Sequence, residues 1–344
     1  MKINETPIRT SVNYGINNFE VEENIFNIQD KNFDGFSSNV TLSKETISLP
    51  KTSLSVQAKN QLAKPNKVVN IEIDEHSINP IKLDFDFENN DFLVDNINIL
   101  MKKHAKNTLF LSFSSKKQSF HNGFIKIICE ENSNLDAVMI CDLSSQGQNF
   151  ITVENTLKKN SNLNFKVIDF SGETSILRYT SDAGDNSKSI FKNIYLSDID
   201  SKIDLNIIQK MTGKNSECQS LTIGALQGSS QKNYKGTIDF VKGCKGSYGD
   251  EKELCLTLSS DAKSKALPIL LSGEEDVSGS HSASTGKINK DRLFYCMSRG
   301  LSKKEALKLL VKAEFNSILN EIEDEKLKEK ILQKIDRKIN VWTK

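Results

Sequence analysis

An excess of charge of either sign is missing from this 344-residue sequence: 46 Lys and Arg stand against 45 Asp and Glu, a net charge of +1. That balance supplies no positive field for a polyanion and no basic face for an anionic bilayer. Neither nucleic acid nor membrane is therefore an expected partner. Long hydrophobic runs are missing too. No stretch approaches the roughly 20 apolar residues of a spanning helix, and Met1 to Val12 has no apolar core of signal-peptide length. The expected location is the cytoplasm. The six cysteines (Cys129, Cys141, Cys218, Cys244, Cys255, Cys296) show no C-x-x-C spacing. Free thiols in a reducing compartment are expected, each behaving as a small buried hydrophobe. Tryptophan occurs once, at Trp342, and 37% of residues are hydrophobic, which is lean but enough for a sizeable core.

What is present divides the chain into three regions: 1–67, 68–287 and 288–344. The first is weakly patterned, with short apolar pieces such as Val21 to Ile28 and punctuation at Pro50 and Pro65. From about residue 68 the period becomes two. Val69, Ile71 and Ile73 alternate with polar residues, as do Ile81, Leu83, Phe85 and Phe87. Such alternation places one set of side chains on one face of a strand. It recurs through Leu254 to Leu258, and no amphipathic helix interrupts 109–285. A β-sandwich, a barrel and a β-helix all fit many short strands with Asn-, Ser-, Asp- and Gly-rich turns. Two-residue Asn-Gly hairpin signals are nearly absent, Asn122-Gly123 being the one instance. That favours a β-helix, whose coils turn and climb without tight hairpins. Strict sequence repeats are not visible.

The period turns helical from Asn289. In Asp291 to Ala306 a helix stop is followed at once by a helix start. Leu293, Phe294, Cys296 and Met297 give the first helix an apolar side. Gly300 suits a left-handed C-terminal position, and Ser302 with Glu305 forms a capping box. The second helix runs through Leu307, Leu310, Val311, Phe315, Ile318, Leu319 and Ile322. A third carries Leu327, Ile331, Ile335, Ile339 and Trp342 on one side. So few helical residues cannot bury a core alone and must pack on the strands, on a partner, or on both.

His281 is the main chemical candidate. Small residues flank it in Ser278-Gly-Ser-His-Ser-Ala-Ser284, leaving the imidazole open to a metal, a proton or a facing chain. The plain alternative is a surface or capping histidine. His76, His104 and His121 read as turn residues. Asp276, Ser280 and His281 do not make a nucleophilic triad, because adjacent strand residues point to opposite faces. Gly279…Gly286-Lys287 is not a phosphate loop: six residues separate the glycines and Ile288 follows the lysine. Cys244 and Cys255 lie near His281 in sequence and offer a Cys/His group, without the compact four-ligand spacing of a permanently held cluster. The many carboxylates follow no recognisable pattern and read as a solvated face.

Phe294-Tyr295, Ser298-Arg299-Gly300-Leu301 and Glu305-Ala306 resemble the LFYxxSRGxxxxEA hallmark of the SufB/SufD family of iron–sulfur cluster assembly proteins. Leu256 to Leu270, Gly273 to Ala283 and Val94-Asp-Asn-Ile97 are also similar to family segments. The resemblance implies a mainly β protein: a right-handed parallel β-helix with a C-terminal α-helical domain and a small N-terminal region. It further implies a non-enzymatic scaffold subunit that pairs with a SufB-like subunit through the β-helix. Leu293, Phe294, Tyr295, Arg299, Gly300, Leu301 and Glu305 would dock a SufC-like ATPase. His281 would be the candidate iron or cluster residue at the shared surface, and so a candidate metal ligand, with no tightly bound cofactor and at most a transient iron or cluster. Ser282 stands where SufB proteins carry Glu. Leu254 stands where they carry Cys, with Cys255 one position along and on the opposite face. The resemblance is therefore greater to SufD. Two other readings remain at this point: a stand-alone β-helix enzyme acting on polysaccharide, and a SufB-like scaffold acting as a homodimer.

Overall fold

The alternating stretches become two parallel sheets that share one core. The computed structural model describes residues 3–6, 15–17, 33–40, 42, 65–88, 91–170 and 172–341. The Val21 to Ile28 piece, Pro50 and Trp342 lie outside these residues. One sheet holds the odd strands in chain order: β1 (Phe36–Ser38), β3 (Ile81–Asp86), β5 (Lys106–Ser114), β7 (Asn134–Asp142), β9 (Asn162–Asp169), β11 (Lys188–Leu196), β13 (Glu217–Leu226), β15 (Ser247–Thr257) and β17 (Val277–Lys287). The other holds β2 (Lys67–Ile73), β4 (Phe92–Met101), β6 (Phe120–Cys129), β8 (Gln148–Leu157), β10 (Thr174–Ala183), β12 (Lys202–Met211), β14 (Gln231–Phe240) and β16 (Lys263–Ser272). Every described pairing is parallel except β1 with β3. A sandwich or barrel built from hairpins is thus excluded. The protein is a parallel β-solenoid of about eight turns followed by three helices. Each coil contributes one strand to each sheet. Coil length ranges from 26 residues, where Thr174 pairs with Gln148, to 32, where Lys263 pairs with Gln231.

A repeat does exist, and it lies in the corners. His104, Asn132, Asn160, Asn186 and Asn215 all have positive φ, between 51° and 64°, and Gly246 continues the series at 75°. Each sits one coil after the last. Asparagine tolerates this conformation better than other L-residues. Its amide also bonds the coil below: Asn160 Nδ2 donates to Asn132 Oδ1 at 3.0 Å. A serine follows each of these asparagines, and its hydroxyl donates to the carbonyl three residues back, as in Ser133 to Glu130 and Ser161 to Lys158. The Asn-Ser pairs recur at 26 to 29 residues, so the unequal coils hide the repeat from a fixed-period reading.

The middle strands of the odd sheet are covered on both faces. The sheet's inner face meets the even sheet. On its outer face Val138, Ile168, Phe170, Ile194 and Ile223 pack against Val311, Phe315, Ile318, Ile331 and Ile335. Those last residues belong to α2 (Lys303–Leu319) and α3 (Glu325–Val341), the second and third helices expected from the sequence. On the outer face of the even sheet the chain's own residues 3–6 dock. Asn4 Nδ2 donates to Asp204 Oδ1 at 2.6 Å, and Lys235 Nζ, buried beside Asp204, donates to Asn4 O at 2.7 Å.

The helix α1 (Lys290–Ser298) differs from expectation. Asn289 caps it, accepting from the amides of Asp291 and Arg292. Gly300 has φ +95°, and the Ser302–Glu305 capping box forms as expected. The apolar side of α1, however, packs on nothing deep enough to bury it, and no residue of α1 is buried.

Candidate functional site

Among the described residues nothing caps the last coil of the solenoid. β17 pairs only with β15, and β16 only with β14. Inner positions of β15 are buried, whereas those of β17 are exposed along nearly its whole length. His281 lies on this last strand in register with Glu251. Its side follows from its neighbours. The Ser280 hydroxyl bonds the Asp250 carboxylate on the outer face, while Thr285 Oγ1 and Ser264 Oγ meet at 3.0 Å across the inner face. His281 therefore belongs to the inner face with Glu251, and it is exposed only because no further coil covers it. Ser280 points away from it, as expected, so no triad forms.

The row of side chains that ends at His281 changes character along the axis. Ile81, Leu109, Ala137, Phe165 and Phe191 are successive partners in the odd sheet, followed by Ser220, Glu251 and His281. An apolar interior thus becomes polar in the last coils. Glu251 accepts from the Tyr234 hydroxyl at 2.7 Å, and burial pushes its carboxyl up to about 7. Glu253 is also shut off from solvent and pairs with Lys232 at 2.6 Å. Burial raises its carboxyl as well, against the pull of Lys232. The reading of the carboxylates as a solvated face fails for these two. The signal was the period-two run Glu251-Lys-Glu-Leu-Cys255, which sets both acids on the same side as a buried cysteine.

The other candidates fall elsewhere. Cys244 and Cys255 are both buried, in separate apolar clusters, and burial raises both thiols. They form no group with His281. Cys255 faces the interior, while Leu254 faces outward toward the helix-packed side. The one-residue offset thus does reverse the face. His121 is not in a turn: it is fully buried in β6, with Nε2 3.0 Å from Asp95 Oδ2 and Nδ1 2.8 Å from Asn149 Oδ1. Its ring stacks on Phe113 at 4.2 Å. Extended flanking residues on an inner face outweighed the local turn chemistry of Asn122-Gly123. His104 does occupy a turn, with φ +64°. Among the described residues no group of three or more His, Cys, Asp or Glu is placed to hold a metal ion.

The second candidate surface is α1. Phe294 is 73% exposed and Tyr295 59%, and the Arg299 guanidinium lies 5.3 Å from the Tyr295 ring centroid. Leu293 and Leu301 are half-buried beside them. Glu305 is committed to the cap, its carboxylate accepting from the Ser302 hydroxyl at 2.6 Å and from Ser302 N at 2.8 Å, bonds that hold its pKa below the ordinary value.

Comparison with known proteins decides the family. Residues 86–314 match the family described as SUF system FeS cluster assembly, SufBD core domain. The chain belongs to that SufBD family. It is 24% identical over 266 residues to the iron-sulfur cluster assembly protein SufD of Bacillus subtilis, covering 76% of this chain and 61% of that protein. It is 23% identical over 213 residues to a SufBD family protein of Mycobacterium tuberculosis H37Rv, covering 61% of this chain and 25% of that one. A SufBD family protein of the alga Antithamnion matches at 29% over 145 residues, 42% of this chain and 48% of the other. The matched part thus spans less than two thirds of these relatives. Within the SufBD match lie the open coil end, His281 and α1. No described helix is long and apolar enough to cross a membrane.

Proposed function

We propose that this SufBD family chain is a SufD-like scaffold subunit of an iron–sulfur cluster assembly complex, with no turnover of its own. In this reading the uncapped end of the solenoid is completed by a SufB-like subunit. His281 stands at the shared surface, where it ligates iron or moves a proton while the cluster, which is cargo, is built. The exposed aromatic face of α1 docks a SufC-like ATPase, and the complex works in the cytoplasm. The observation that carries the reading is the open coil: two unpaired strand edges and an inner face left to solvent beside the one histidine in that region. An unpaired sheet edge invites a further chain. The test is co-purification of the full chain with SufB-like and SufC-like proteins from its source, followed by iron and sulfide reconstitution. The expected result is a complex that survives His281→Ala but then carries no cluster. A chain that remains monomeric or forms only homodimers in their presence overturns the pairing. Full cluster loading by the His281→Ala complex overturns the role of the imidazole.

A further inference from the structure

The inner wall behind His281 carries polar atoms that no group among the described residues answers. Two neighbouring rows cross the odd strands there: Ser220, Glu251 and His281 in one, Asn193, Thr222, Glu253 and Ala283 in the other. Ser220 Oγ, both amide atoms of Asn193, Glu251 Oε2 and Glu253 Oε2 are buried without a hydrogen-bond partner. Buried polar atoms in folded proteins are almost always satisfied, by protein, water or ligand. A patch of several, ending at an open mouth, points to an occupant.

We propose that Glu251 is a second cation ligand that this chain offers beside His281. The inference rests on the reading of His281 given above and adds a residue to it. The two are direct partners on the same face of adjacent strands, about 4.8 Å apart at the backbone. That spacing lets a carboxylate oxygen and an imidazole nitrogen reach one ion at roughly 2.1 Å each. One Glu251 oxygen takes the Tyr234 hydroxyl, which orients the carboxylate as outer-shell bonds orient metal ligands. The other oxygen is free. Gly236 makes the room, since a Cβ there would lie 2.6 Å from the Glu251 carboxyl carbon. The nearby Lys232 ammonium forms its ion pair with Glu253 rather than with Glu251. Oxygen and imidazole donors suit a divalent first-row metal ion such as Fe2+, with water or a partner chain completing the coordination.

The experiment is titration of the purified full chain with Co2+, followed by its visible absorption and by calorimetry. A single saturable site is expected, weakened at least tenfold by Glu251→Gln and by His281→Ala. Asp250→Asn, on the outer face of the same strand, should bind as the parent does. Glu251→Asp, which keeps the charge and shortens the arm, should bind between the parent and Glu251→Gln. Melting curves establish that each variant is folded. Unchanged binding by Glu251→Gln with loss in His281→Ala overturns the inference and leaves the role of His281 standing. Loss in Asp250→Asn equal to that in Glu251→Gln overturns it as general surface charge. Absence of any saturable Co2+ binding overturns it while leaving the co-purification test of the scaffold reading independent.

Discussion

Lys232 Nζ and Glu253 Oε1 lie 2.6 Å apart inside the solenoid, and neither side chain reaches solvent. The pair ties β14 in one sheet to β15 in the other, and Tyr195 OH donates to the same carboxylate oxygen at 3.2 Å. Both charges have lost their water. Removing one leaves the other buried and alone, which typically costs about 3 to 5 kcal/mol, whereas replacing both by apolar groups is often neutral. Lys232→Met should therefore lower the urea midpoint sharply, and Lys232→Met with Glu253→Leu should recover most of the loss. A double variant no more stable than the single one would show that the pair does not act as a unit.

Glu251 sets a pH dependence of the opposite kind from a surface salt bridge. Its carboxyl is raised from 4.5 to about 7, chiefly by burial and then by Glu253 and Asp250, against the Tyr234 bond and Lys232. The folded, metal-free chain thus holds this proton more tightly than the unfolded chain does. Its contribution to stability is fully present below about pH 4.5 and is lost as pH rises through 7. A tenfold difference in proton affinity between the two states is worth about 1.4 kcal/mol, so the swing is on the order of 3 kcal/mol. The buried Asp204 and the half-buried Asp239 are also raised and add slopes of the same sign. The measurement is therefore a difference. Between pH 5 and 8, urea midpoints of the parent should fall more steeply than those of Glu251→Gln. Parallel curves would contradict the assignment.

The corner ladder yields a conformational prediction. Asn160 has φ +58°, a region that costs an ordinary L-residue roughly 1–2 kcal/mol. Asn160→Ala should destabilise by about that amount and also lose the bond to Asn132. Asn160→Gly should lose only the bond, because glycine takes positive φ without strain. Thermal melts of the two variants separate conformation from hydrogen bonding. Equal losses would mean that the ladder bond dominates.

Most of the fold was legible because a period of two is a local signal. Val69, Ile71 and Ile73 advertise a strand whatever they pair with. The choice among sandwich, barrel and solenoid depends on which strand pairs with which, and the near absence of Asn-Gly turns pointed to the solenoid. The coil repeat was harder, since 26- to 32-residue coils smear any fixed period and the marker is two common residues, Asn and Ser. His281 stood out through the small residues around it. Glu251 did not, because its meaning comes from a register partner 30 positions away. His121 was misplaced for a related reason: Asn122-Gly123 is strong local turn chemistry, and only the neighbouring coils supply Asp95 and Asn149.

The five buried cysteines make a chemical prediction. Burial pushes the Cys129 thiol up to about 12 and raises those of Cys141, Cys218, Cys244 and Cys255. A thiol reacts as its thiolate and only where reagent can reach it. Native protein at pH 8 should therefore react with a disulfide reagent at Cys296, the one cysteine not fully buried, and at all six after unfolding. Rapid labelling of Cys255 in the native state would mean that the open end of the solenoid breathes far enough to admit reagent.

The last prediction concerns α1, where stability and binding should come apart. A helix that packs on nothing deep enough to bury its apolar side gains little for the fold from Phe294, which is 73% exposed. Truncating such a side chain usually changes stability by less than about 0.5 kcal/mol. A buried aromatic anchor in an interface typically costs about 2 kcal/mol or more when truncated, roughly thirtyfold in affinity. If α1 is a docking surface, Phe294→Ala should leave the melting temperature in place and weaken capture of a SufC-like ATPase by at least tenfold. Arg299→Ala, which removes the cation over the Tyr295 ring, should act in the same direction. Ser302→Ala serves as the contrast. It breaks the capping box and should cost about 1 kcal/mol of stability while sparing the aromatic contact. An ATPase that binds Phe294→Ala as tightly as the parent would leave these exposed rings without the role proposed for them.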